Sequence, residues 1–331
     1  MKWTKLAVVA ASAGMLAMLG CGDKDPVSST PDAGDRPAAA KLIVSGAMAG
    51  TCERCGPAPS ADGAPMVLNG FKTPESVLYD AAGDVYLVSN INGLPPLALD
   101  EDGFIDQIDP VTLEVTRFIE SGANGATLNG PKGMAIIGDV LYVSDINAVR
   151  LFDRATGDPM GVWPVPTPEG TFLNDLCAGP DRTLYATNNG DHKVYRFESD
   201  GTPVIVAQAP EVMVPNGCEF VGRSLFVVSA MRDAASSSYA KVWQILPSGE
   251  VRTVEVLPTG VLDGIVQIGS WLAVTSWDGA DMYALDIAGR RSTPILMSGV
   301  PGPADLGYDH QRHRLLLPQF LAGNVVIQPL K

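Results

Sequence analysis

From Met66 onward the chain alternates short apolar runs with turn residues, and no stretch there shows helical periodicity. A short phrase recurs six times, a turn followed by a hydrophobic strand that opens on a polar residue. The six are Pro74-Glu75-Ser76-Val77, Pro131-Lys132-Gly133-Met134, Asn174-Asp175-Leu176-Cys177, Pro215-Asn216-Gly217-Cys218, Leu262-Asp263-Gly264-Ile265 and Pro303-Ala304-Asp305-Leu306. Aligned on Glu75, Lys132, Asp175, Asn216, Asp263 and Ala304, they return roughly every 41 to 57 residues, a period that predicts a β-propeller. Each opening residue is expected at one mouth of the central channel.

The pattern continues inside each unit. A second strand follows a turn, as in Gly83-Asp84-Val85-Tyr86-Leu87-Val88 or Arg182-Thr183-Leu184-Tyr185-Ala186-Thr187. Third strands are predicted over Phe104 to Ile108, Ala148 to Phe152, Lys193 to Phe197, Lys241 to Ile245, Asp281 to Leu285 and Asn324 to Ile327. Fourth strands are weaker, for example Val115 to Ile119, Val204 to Ala207 and Val251 to Val256. The last unit has no room for one, so an N-terminal strand is needed to close the ring and cover its edge. Lys41 to Ser45 and Met66 to Leu68 are the candidates, the second favoured because it leads straight into the first repeat. The expected fold is all-β, a six-bladed propeller of four-stranded antiparallel blades.

Residues 1–40 are a different kind of sequence. Lys2 and Lys5 precede an apolar run from Leu6 to Leu19, too short for a permanent membrane span, and Gly20-Cys21 follows. The ending Met18-Leu19-Gly20-Cys21 resembles a bacterial lipoprotein cleavage box, which implies lipidation of Cys21; an ordinary signal peptide is the alternative. Residues 22–40, rich in Pro, Ser, Asp and Ala, suit a flexible tether, which leaves 41–331 for the propeller. The expected address is the cell envelope, with the outer membrane favoured and the lipid as the only membrane contact.

Export would place Cys52, Cys55, Cys177 and Cys218 in a disulfide-permissive compartment. Cys52 and Cys55 read as a loop-tying pair. Cys177 and Cys218 open neighbouring blades, and either pair or fill the core as thiols. A composition of 46% hydrophobic and 18% charged residues argues for a packed domain. The formal net charge of −14 argues against a nucleic-acid partner, whose phosphates want basic patches. A protein partner stays open.

The order Pro74-Glu75, Asn174-Asp175, Pro215-Asn216-Gly217 and Asp263-Gly264 resembles the gluconolactonase/regucalcin family of six-bladed propellers. The resemblance runs from about residue 66 to the end. It implies a divalent cation, calcium first, held by Glu75, Asn174, Asn216 and Asp263, and a small lactone or ester as substrate. It also makes Asp263 the general base as well as a ligand. The chemistry agrees, since four oxygen donors with two formal charges suit calcium or magnesium, and without His or Cys they suit zinc poorly. Ser76 and Val77 depart from the family pattern, which has Gly and then Pro after its first Glu.

The alternative for each of these residues is structural, because Asp, Asn and Gly open strands and make turns in many propellers. A non-catalytic propeller that binds a ligand or a protein is therefore the second functional reading. Lys132 opens the second unit and places a cation at the same mouth, to neutralise Glu75 or Asp263, hold an anion, or reach solvent. Asn90, Asp145, Asn189, Arg232 and Trp277 are expected to line the pocket with Lys132. His192 is a second candidate base, its ordinary pKa suiting proton transfer near neutrality. The insertion Gly93 to Asp102 is a candidate lid.

Overall fold

In the computed structural model, residues 57–165, 170–230, 240–257, 260–289 and 293–331 are described. The signal region with Cys21, the linker 22–40, the candidate strand Lys41 to Ser45, the Cys52 and Cys55 pair, and Arg232 lie outside them.

Six four-stranded antiparallel sheets form the described structure, five of them made of strands consecutive in sequence. The inner strands are Pro74–Asp80, Pro131–Ile137, Leu173–Ala178, Pro215–Val221, Leu262–Ile268 and, in blade six, the short Gly307–Asp309. Met66–Asn69 pairs antiparallel with Asn324–Pro329 and supplies the missing outer strand of blade six. The ring therefore closes through the strand nearest the first repeat, which covers the free edge of Asn324–Pro329.

Core side chains lie between blades. Leu87 and Ile105 of blade one pack with Met134, Leu141 and Phe152 of blade two. Phe226 and Val242 of blade four pack with Ile265, Leu272 and Tyr283 of blade five. The alternation of each strand thus serves two neighbours, one on each face of its sheet. Outer strands read weakly for the same reason. Pro159–Pro164 and Ile295–Ser298 have almost no buried positions and carry no clear alternation.

Register corrects one alignment. In blades one to five the ladder between the first two strands breaks at the opening residues. The breaks fall at Pro74/Ser76, Pro131/Met134, Leu173/Leu176, Pro215/Cys218 and Leu262/Ile265. Leu173 pairs with Asn188 as Pro131 pairs with Asp145. Asn174, not Asp175, is therefore the equivalent of Glu75, Lys132, Asn216, Asp263 and Ala304. The sequence favoured Asp175 because blade three has Leu173 where its neighbours have Pro.

Candidate active site at the channel mouth

Each ladder break is a bulge that frees one or two residues from pairing and re-aims them. The bulge amides find hydroxyls near the end of the second strand. Ser89 Oγ accepts from Ser76 N at 3.0 Å, Thr187 Oγ1 from Asp175 N at 3.0 Å, and Thr275 Oγ1 from Gly264 N at 2.7 Å. Ser144 Oγ donates to the backbone oxygens of Asn174 and Gly133. These supporting hydroxyls were missed from the sequence, although Ser or Thr recurs at the same place in Val88-Ser89-Asn90, Val143-Ser144-Asp145, Ala186-Thr187-Asn188 and Val274-Thr275-Ser276.

The bulges set two layers. The first holds Glu75, Lys132, Asn174, Asn216 and Asp263, all between 1% and 8% exposed, with Ala304 in the sixth place. The second holds Ser76, Gly133, Asp175, Gly217, Gly264 and Asp305. Here blade meets blade so closely that side chains are excluded from three of the six places, Gly133, Gly217 and Gly264. A Cβ on Gly217 would lie 2.3 Å from the Asp263 oxygen, and one on Gly133 would lie 2.5 Å from the Asp175 Cα. The remaining polar members stitch blades together. Asp175 Oδ2 accepts from Cys218 N at 2.7 Å, and Ser76 Oγ donates to Asp305 Oδ2 at 2.6 Å. Cys177 and Cys218 form a disulfide across the inner strands of blades three and four, which resolves the two alternatives left by the sequence.

Within the first layer, Asn216 Nδ2 donates to Asp263 Oδ1 at 3.0 Å and to the Leu262 oxygen at 3.2 Å. Three buried oxygens of the layer have no hydrogen-bond partner: Glu75 Oε2, Asn174 Oδ1 and Asn216 Oδ1. Buried polar atoms are ordinarily satisfied, so orphaned oxygens at three equivalent positions of one ring call for an electropositive partner. With Asp263 the donor set is two carboxylates and two amides; among the described residues no three His, Cys, Asp or Glu side chains gather as a metal cluster.

Electrostatics point the same way. Burial, then the charge of Asp263, holds the Glu75 carboxyl well above its usual range. Burial and the Asp305 charge push Asp263 up to about 8, and burial and Asp305 raise Asp175. Burial carries the Lys132 ammonium down to about 8, against the opposing pull of Glu75 and Asp145. Lys132 thus offsets only Glu75 among the four buried carboxylates Glu75, Asp175, Asp263 and Asp305, a balance that favours taking up protons or a cation.

Lys132 donates to the Gly130 oxygen at 2.7 Å and to the Pro96 oxygen at 3.2 Å, and lies 5.0 Å from the centroid of Phe172. It therefore holds the insertion Gly93 to Asp102 down over blade two, helped by Glu101 N donating to Asn129 Oδ1 at 3.2 Å. Other expected pocket residues are spent on the scaffold. Asn90 Oδ1 caps Lys72 N, and Asp145 Oδ1 caps the Asn129 and Gly130 amides while its other oxygen pairs with Arg150. Asn189 has a buried oxygen, Oδ1, without a partner. His192 Nδ1 accepts from Val214 N at 3.2 Å, and burial lowers its pKa. The neutral ring then carries its hydrogen on Nε2, so neither nitrogen is open to act as a base.

Past the second layer the channel holds a cavity of about 310 Å³ lined by Asp175, Glu219, Asp305, Tyr79, Tyr308 and the disulfide. No first-layer side chain lines it. Partly buried Glu219 accepts from Gln267 N at 3.1 Å, and burial pushes it up to about 7. Its folded pKa thus exceeds the unfolded value of about 4.3, so between these pH values the unfolded chain binds fewer protons and stability falls as pH rises. Glu219→Gln should remove about 2 kcal/mol of the stability lost between pH 5 and pH 8, read by urea unfolding at both. An unchanged pH dependence would show that Glu219 ionises freely.

No protein-family profile matches the chain, and no curated protein sequence matches it. Solved structures do. A gluconolactonase from Xanthomonas campestris aligns at 18% identity with TM-score 0.60, covering 84% of this chain and 96% of that one. The fold is the gluconolactonase-type six-bladed propeller. Streptogramin B lyase aligns at 14% identity with TM-score 0.58, covering 81% of this chain and 98% of that one. A PQQ-bound aldose sugar dehydrogenase from Streptomyces coelicolor aligns at 16% identity with TM-score 0.61, covering 83% and 100%. Proteins named for different chemistries align with this fold, so the ring, not the fold, must carry the functional argument.

Proposed function

We infer that this chain is a divalent-cation-dependent hydrolase of small lactones or esters. The observation that carries the reading is the trio of orphaned oxygens, Glu75 Oε2, Asn174 Oδ1 and Asn216 Oδ1, in one layer with Asp263. Four hard oxygen donors with two charges suit calcium, and these four residues would hold it. Bound there, the ion would polarise a carbonyl oxygen and offset developing negative charge. Asp263, oriented by the Asn216 amide, accepts the proton of the attacking water. The amide of Asn174 or Asn216 would orient the substrate oxygen. Burial of the whole layer excludes bulk water and strengthens each of these contacts.

Lys132 favours a second reading, in which its ammonium supplies the positive charge and the propeller binds a ligand without turnover. Calcium titration by calorimetry, followed by a lactone and ester panel with and without chelator, separates the two. Saturable binding and chelator-sensitive turnover are expected. A wild-type protein that binds no divalent cation would overturn the hydrolase reading, and a gain of calcium affinity in Lys132→Met would then support the second.

A further inference from the structure

Five of the six first-layer positions are charged or amide side chains; the sixth is Ala304. Over it stands an apolar group at the mouth, in which Ile91, Ala304 and Phe320 are buried and Trp277 packs against them. Ile91, Trp277 and Phe320 each directly follow the second strand of their blade, and those blades are one, five and six. Blades one and five also carry Glu75 and Asp263, so the apolar sector is flanked by the two carboxylates of the ring. The Trp277 ring meets Phe320 edge to face at 6.3 Å.

The sector is not closed at the top. Trp277 is partly exposed and Leu321 is 53% exposed. Between them lies Gly302, whose missing Cβ would sit 3.6 Å from Leu321 Cγ and 3.7 Å from Trp277 Nε1 and Cε2. Glycine at this left-handed position, φ 53°, keeps the narrow gap between the indole and the isobutyl group free of a side chain, and this gap is the slot.

We propose that this slot receives an alkyl or aryl substituent of the substrate whose carbonyl the polar ring takes, so the site selects apolar-substituted lactones or esters over polyhydroxylated ones. The proposal rests on the hydrolase reading for the position of the carbonyl. The occupant follows from continuity: the slot stands over the sixth place of the same ring that holds the polar donors. Hydroxyl groups laid against Leu321 and the Trp277 ring would lose water with the indole Nε1 as the one side-chain donor at the slot, so a polyhydroxylated group would leave most of its hydroxyls without partners. Methylenes there gain by leaving water, up to about fourfold in affinity each.

Binding of non-hydrolysable γ-lactams tests this without depending on turnover. The probes are 5-alkyl γ-lactams from propyl to octyl, with a polyhydroxylated lactam as the polar comparison, titrated by calorimetry and indole fluorescence. Affinity should rise about threefold per methylene until the slot is full, and the polyhydroxylated lactam should bind at least tenfold more weakly than the octyl one. Trp277→Ala should flatten this series, and so should Leu321→Ser, whose exposed position spares the core. Equal affinity for alkyl and polyhydroxylated lactams would overturn the proposal, as would no lactam binding at all or a series unchanged in both variants. A wild-type protein that binds no calcium yet keeps the alkyl series, flattened in both variants, would remove the hydrolase reading and leave the slot standing.

Discussion

Asp263→Ala should abolish cation binding by the protein. The expected rise in Kd is at least about 100-fold, equivalent to roughly 2.7 kcal/mol, and lactone turnover should fall by on the order of a thousandfold. The loss is large because Asp263 is one of only two first-layer carboxylates and also the group that Asn216 Nδ2 holds at 3.0 Å. Stability should move the other way. Metal-free protein buries Glu75, Asp175, Asp263 and Asp305 together, and Lys132, the one buried ammonium among the described residues, offsets only Glu75, so removing one carboxylate relieves repulsion. The variant without metal is therefore expected to unfold at a temperature equal to or above that of wild type, and to lose the thermal gain that calcium gives wild type. Retained calcium affinity in this variant would place the ion elsewhere. A collapse in stability without metal would make Asp263 a structural carboxylate.

Removing the disulfide should produce the other large effect. Cys177 and Cys218 are 41 residues apart in sequence and cross-link adjacent blades. Closing a loop of that length removes about 4 kcal/mol of unfolded-chain entropy, with about 2–5 kcal/mol commonly observed. The double variant Cys177→Ala, Cys218→Ala should accordingly melt on the order of 10 °C lower, read by calorimetry. Because the bridge ties the strands that carry Asn174 and Asn216, calcium affinity should also weaken, by several-fold, under conditions where the variant is still folded. A melting temperature within a degree or two of wild type would show that strand pairing and the Asp175 contact to Cys218 N hold the blades without it.

Much of this architecture is legible in the sequence, and the reason is periodicity. The strand alternation, the turn residues and the recurring opening phrase repeat once per blade, so each blade supports the reading of the others. The closing strand Met66–Asn69 was legible for a related reason, since a sixth blade short of one strand needs a partner and the chain offers few. Outer strands were hard to read because solvent imposes no pattern on Pro159–Pro164 or Ile295–Ser298.

The polar openings were recognisable as a set, but their meaning was not. Asp175 and Asn174 are adjacent in sequence, and only the ladder break places Asn174 in the first layer and Asp175 in the second, where it accepts amides from its own blade and the next. Lys132 could have reached solvent; instead two backbone oxygens hold its ammonium inside the mouth. Asn90 and Asp145 looked equally suited to a pocket, yet both cap loop amides.

The sequence by itself determined the number of blades, their inner strands, the need for an N-terminal closing strand and which residue types gather at one mouth. All of these follow from patterns repeated along the chain. Tertiary structure alone decided which atoms in that mouth lack partners, which carboxylates repel one another and where the apolar slot opens. Those depend on contacts between blades far apart in sequence, and no local pattern carries that information.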